Sequence, residues 1–165
     1  MMKRMRESVI VVAAVVAGAL FAAIFAINIV QIIARGISGG WIWVGDLNQL
    51  LFAWMIMLGA AAAYGRTEHI TADLLAERLP RIGRAVLAYA MRFVELAVGV
   101  VLLVSGLQVA ATRMNIPYIQ LGLPTGLTFY AIPALGILML FFGLTALPGA
   151  SAQRPPKTEP EGVTT

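Results

Sequence analysis

The sequence predicts an all-α integral membrane protein: four transmembrane helices, with a short cytoplasmic amphipathic helix between helices 2 and 3. Three observations carry that expectation. Of 165 residues, 60% are hydrophobic and 12% charged, whereas soluble domains run nearer one half and one quarter. The apolar residues gather into four runs, each on the scale of a hydrocarbon core about 30 Å thick. The basic residues gather beside those runs, the pattern that sets orientation in a membrane. That clustering accounts for a small net charge of +4 without nucleic acid as a partner. There is no cysteine, which excludes disulfides, thiolate metal sites and cysteine nucleophiles.

The first span is expected at about 9–34, behind Lys3, Arg4 and Arg6. A basic start before an apolar run also marks signal peptides, but their apolar region is only about 7–15 residues long. As a helix, 9–34 extends about 39 Å, enough to cross with tilt. Ala14, Gly18, Ala22 and Ala26 fall four apart, a ladder along which another helix can approach closely. Asn28 and Gln31 share a face. Amides facing lipid are costly, so that face is expected to meet protein or the interface.

Residues 35–45 form the first connector. Gly36, Gly39, Gly40 and Gly45 permit the turn, and Trp41 and Trp43 suit the headgroup boundary. Asp46 opens the second span, at about 47–64, where an acid complements the helix dipole and can cap the first turn. Trp54 lies deep in this span, so its indole N–H needs an acceptor. Gly59 to Ala63 offers little side-chain bulk, which favours close helix contact.

Arg66, Glu68, His69 and Asp73 follow in quick succession, making a polar hinge. Thr71 is the expected N-cap of a short helix ending near Leu79, with Ile70, Leu74, Leu75 and Leu79 on one face. Pro80 closes it. The third span is expected at about 85–112. Arg92 and Glu95 can pair across one turn near its cytoplasmic end, and Ser105 and Gln108 repeat the i, i+3 polar spacing farther along. A second short connector holds Asn115, Pro117, Tyr118 and Gln120. The fourth span, about 125–147, contains Pro133, which removes a backbone bond and is expected to kink the helix. Residues 1–150 thus make a single four-helix membrane domain. Residues 151–165, with Pro155, Pro156 and Pro160, read as a disordered cytoplasmic tail.

Basic residues cluster at the N-terminus, in the hinge (Arg66, Arg78, Arg81, Arg84) and in the tail (Arg154, Lys157), against Arg35 and Arg113 in the other connectors. Both termini and the hinge are therefore expected in the cytoplasm. His69 is the single histidine, too few for a bis-histidine haem or a convincing zinc site. No catalytic triad, phosphate loop or carboxylate pair stands out, so neither enzyme activity nor a cofactor is expected. Three readings stay open on these residues. They are a scaffold subunit of a transporter, a self-sufficient proton-coupled exporter working as a homodimer through Glu95, and the membrane anchor of a redox enzyme.

The ordered run Asp46-Leu47, Trp54, Leu58-Gly59-Ala60-Ala61, Arg66, His69-Ile70, Asp73-Leu74-Leu75 and Leu79-Pro80 resembles the small membrane subunit of TRAP transporters, the DctQ-like family. Pro124 and Tyr130-Ala131-Ile132-Pro133 resemble its fourth-helix pattern, so the likeness covers about residues 9–147. Asp46 stands where that family more often shows glutamate. The resemblance implies a tripartite inner-membrane system for sodium-coupled uptake of an organic acid. A DctP-like periplasmic binding protein would deliver substrate to a DctM-like large transport subunit, which the small subunit braces among membrane lipids. By family position, Trp54, Gly59, His69 and Asp73 would form the hinge set. Arg92 and Glu95, from their own spacing, read as a structural pair or a subunit contact, and Pro133 as a further structural residue. Trp41, Trp43, Asp46, Tyr118 and Gln120 would lie on the outer side, where they could meet the binding protein.

Overall fold

The computed structural model describes residues 2–67 and 81–145. Helix α1 is Met2–Ser38, α2 is Val44–Thr67 and α3 is Arg81–Arg113; the fourth span comprises α4, Gly126–Phe129, and α5, Ala131–Thr145. Among the described residues, four helical stretches are long and apolar enough to cross a membrane: Arg4–Ile37, Val44–Arg66, Tyr89–Arg113 and Gly126–Thr145. The chain is an all-α membrane protein of four spans. The hinge around His69 and Asp73, the expected short helix after Thr71 and the tail 151–165 lie outside the described residues.

The helices overrun the apolar runs for local reasons. Nothing breaks α1 until Gly39 and Gly40, whose φ angles of +87° and +81° lie where side chains with a Cβ are strained. Before α2, the Gly45 N–H donates to the Ile42 carbonyl and the Leu47 N–H to the Trp43 carbonyl, so the first turn is wound by Val44. Asp46 thus stands inside that turn rather than ahead of it. In the fourth span the interruption falls at Tyr130, three residues before Pro133. Proline has no N–H to give the Phe129 carbonyl, yet the chain runs on in helical geometry. Tyr130 keeps helical angles (φ −64°, ψ −16°), donates to Gly126 and accepts from Ala134 at 3.2 Å.

The spans do not close into a square bundle. The first packs on the second, the second on the fourth and the fourth on the third, giving an open row in the order α1, α2, α4–α5, α3. Spans two and three, neighbours in sequence, are thereby separated by the fourth. One end of the row carries residues 39–43 and 114–125 (the connector side); the other (the terminal side) carries the start of α1 and the end of α5, where Arg6 meets Phe142.

Glycine sets how closely α3 approaches the fourth span. A methyl group at Gly106 would stand 2.6 Å from Pro133 Cδ, one at Gly126 2.7 Å from the Ala110 carbonyl oxygen, and one at Gly136 2.8 Å from the Leu103 nitrogen. These contacts are to backbone and to a proline ring, which cannot swing aside, so the seam is a backbone-to-backbone fit. Ile10, Ala61 and Phe142 form a buried cluster toward the terminal side, joined by Val9, Tyr64, Leu135, Leu138 and Phe141.

Candidate functional site

Two connectors meet at one end of the row, and Asp46 joins them. Its Oδ2 accepts the backbone N–H groups of Gln120 at 3.0 Å and Leu121 at 3.3 Å. Charged acceptors make the stronger class of hydrogen bond, so this carboxylate clamps the second connector onto the first turn of α2. That connector is also knitted internally. Pro117 and Pro124 form an antiparallel bridge; Tyr118 N–H donates to Leu123 O at 2.8 Å, and Thr125 N–H to Ile116 O at 2.8 Å. Gly122 turns the chain at φ +69°.

The candidates expected on the outer side separate into two kinds. Tyr118 is buried, and its hydroxyl lies 2.6 Å from Thr128 Oγ1. It braces the connector from beneath and does not present its side chain to a partner. Gln120 and Leu121 meet Asp46 through their backbones, leaving the Gln120 side chain exposed. Trp41 and Trp43 are exposed and stack with ring centroids 6.0 Å apart. The Trp41 carbonyl accepts from Gln31 Nε2 at 3.1 Å.

Below the connectors, polar groups are satisfied between helices. Asn28 and Asn48 face each other across α1 and α2 and exchange two hydrogen bonds, each 3.1 Å; Asn28 Nδ2 also donates to Ile24 O. Asn28 and Gln31 therefore meet protein. Trp54 Nε1 donates to Leu127 O at 3.0 Å, fastening the second span to the start of the fourth.

At the terminal side, Arg6 donates to the Gly65 carbonyl at 3.0 Å and sits over the Phe142 ring at 5.9 Å. First, second and fourth spans are pinned together there. A methyl at Gly65 would come within 2.8 Å of Ile10 Cγ1. Gly59, the small residue singled out by family position, is looser: a methyl there would meet only Ala17 Cβ, at an ordinary 3.9 Å. Arg92 and Glu95 pair at 3.3 Å with both side chains about a quarter exposed (23% and 27%). Gly106 rests on Pro133, which makes that proline a packing surface between α3 and the fourth span.

Asn48, Thr128 and the Arg6–Gly65–Phe142 contact are structural residues that the sequence reading does not single out. Asn48 carries one signal, an amide in the first turns of the second span, which an antiparallel neighbour brings level with Asn28. Arg6 reads as an orientation charge, and nothing local announces its partner 59 residues away.

The geometry is one of braces and packing faces. Residues 24–150 match the family model for the DctQ component of tripartite ATP-independent periplasmic transporters. The chain belongs to the DctQ family. It is accordingly a TRAP small permease subunit, a multi-pass inner-membrane protein and a transporter component rather than an enzyme. It is 29% identical over 131 residues to a putative TRAP transporter small permease protein of Haemophilus influenzae, covering 78% of this chain and 79% of that one. It is 26% identical over 141 residues to the sialic acid TRAP transporter small permease protein SiaQ of Vibrio cholerae, covering 85% and 82%. A third relative is the sialic acid TRAP transporter permease protein SiaT of Haemophilus influenzae, 33% identical over 129 residues. That stretch is 75% of this chain but 20% of SiaT.

Proposed function

We propose that this DctQ-family subunit is the fixed brace of a large membrane permease, in a system that takes up an organic acid with sodium. The observation that carries the reading is the match to SiaT, where a stretch like this chain makes up 20% of a longer permease. Where the small subunit is a separate chain, the remainder has to be held by contacts instead of by covalent connection. The packing supports that role. A backbone-to-backbone seam between α3 and the fourth span, with cross-helix bonds near both ends of the row, makes a body suited to staying still while a partner moves. Arg92, Glu95, Pro133, Trp54 and Gly59 belong to that body; His69 and Asp73 are proposed for its hinge on the family pattern.

The basic residues favour both termini in the cytoplasm. In that orientation the clamp of Asp46 on Gln120 faces the periplasm, and Trp41, Trp43 and the Gln120 side chain form a rim on which a binding protein can rest. Support for an organic acid comes from relatives whose names specify sialic acid, a carboxylate. Reconstitution into liposomes tests the proposal. Uptake of a carboxylate should need this chain, the large permease and the binding protein together, and should stop when the sodium gradient is collapsed. Full uptake by permease and binding protein alone would refute the brace.

A further inference from the structure

The two outermost helices of the row, α1 and α3, differ in what they show the membrane. On α1, the face turned away from α2 carries exposed Val12, Val15, Ala19, Ala22, Ala26 and Val30, with no polar side chain among them. On α3, the face turned away from the fourth span carries exposed Val94, Val101, Ser105, Gln108 and Thr112. These recur at helical spacing opposite the stripe of Gly99, Gly106 and Ala110 that packs inward. Thr112 Oγ1 donates back to the Gln108 carbonyl at 2.8 Å. The Ser105 hydroxyl and the Gln108 amide make no hydrogen bond among the described residues.

Their depth follows from contacts between helices. Trp54 lies ten residues along α2 from Val44, about 15 Å at 1.5 Å per residue. Its side chain leans back toward the connector side, so its partner Leu127 sits roughly 10 Å below the start of α2. Gly126 packs on Ala110, which puts Ala110 at that level. Gln108 and Ser105 then lie about 13 and 17 Å below the start of α2. The stacked Trp41 and Trp43 mark the headgroup boundary at that end. Both polar groups are therefore inside a hydrocarbon core about 30 Å thick, Ser105 close to its middle. Lipid tails offer a glutamine amide no partner.

We infer that this face of α3 is where the subunit meets its large permease, through a transmembrane helix that hydrogen-bonds Gln108 and Ser105, while the outer face of α1 is left to lipid. The occupant is a membrane helix rather than a soluble domain because the groups lie at hydrocarbon depth. It is assigned to the permease on the proposed bracing role, on which this inference rests. Small Ser105 also permits close approach of a neighbouring backbone.

Photo-crosslinking in membranes tests the assignment, with this full-length chain co-expressed with the permease that resembles the rest of SiaT. p-Benzoylphenylalanine placed at Val101 leaves Ser105 and Gln108 intact; placed at Ala22 it samples the α1 face. The expected result is an adduct with the large permease from Val101, at least about tenfold stronger than from Ala22. In parallel, Gln108→Leu should cut co-purified permease several-fold without lowering the melting temperature of the isolated subunit. An adduct from Ala22 and none from Val101 overturns the surface while leaving the bracing role intact. Lipid adducts alone, or adducts with a second copy of this chain, from Val101 overturn it as well. Failure of the wild-type chain to co-purify with the permease would instead refute the bracing role.

Discussion

Trp54 donates its indole N–H to the Leu127 carbonyl at 3.0 Å, across 73 residues of sequence. This bond spans the interface that places the fourth helix between the second and third, so it helps fix the order of the row. Trp54→Phe keeps an aromatic ring and deletes the donor. A loss of about 1 kcal/mol is expected, read as a lower melting temperature in detergent. An unchanged transition would show that the bond adds nothing to the interface.

Asp46 holds two amides of the second connector. Asp46→Ala should free them, raising hydrogen exchange at Gln120 and Leu121 by roughly tenfold or more, since bonds to charged groups are worth about 1.5–3 kcal/mol. Exchange in the helical interior of α2 should be unaffected. Unaltered protection at both amides would mean that the connector's own bridge suffices to hold it.

The glycines should divide sharply by position. Gly106→Ala and Gly136→Ala force a methyl against a proline ring or backbone, and overpacking of this kind costs about 1–3 kcal/mol. Gly18→Ala, with open space around it, and Gly59→Ala, at ordinary contact with Ala17, should be tolerated. Thermal unfolding of the four variants checks the ranking. Equal effects across them would contradict the seam.

The Asn28–Asn48 exchange predicts a measurable coupling between α1 and α2. A double-mutant cycle with Asn28→Leu and Asn48→Leu should give about 0.5–2 kcal/mol, the range for hydrogen bonds between membrane helices. The double variant should be less damaged than the sum of the two singles, because neither amide is then left alone in an apolar setting. Strict additivity would mean that the two amides do not act together.

Four spans and the demand of the Trp54 indole for a partner were legible in the sequence, because hydrophobic run length and buried polar groups are local signals. The order of the row was not. It depends on which glycine faces which backbone, and Gly106, Gly126 and Gly136 look no different in sequence from Gly18 or Gly59. Tyr118 shows the same limit at the connector. An aromatic residue in an outer loop reads as a contact surface until the Thr128 hydroxyl appears beneath it. Asp46 is legible as an acid at a helix start, which points to its own first turn for partners. Its actual partners, loop amides 74 and 75 residues away, leave no mark in composition.

The bracing role is tested most directly by purifying the tagged chain from membranes of its native host in mild detergent, with mass and composition of the complex measured. A bracing subunit should come out in a one-to-one assembly with a much larger, equally hydrophobic permease. Recovery of this chain alone, as a homodimer that transports substrate by itself in liposomes, would contradict it and turn attention to Glu95.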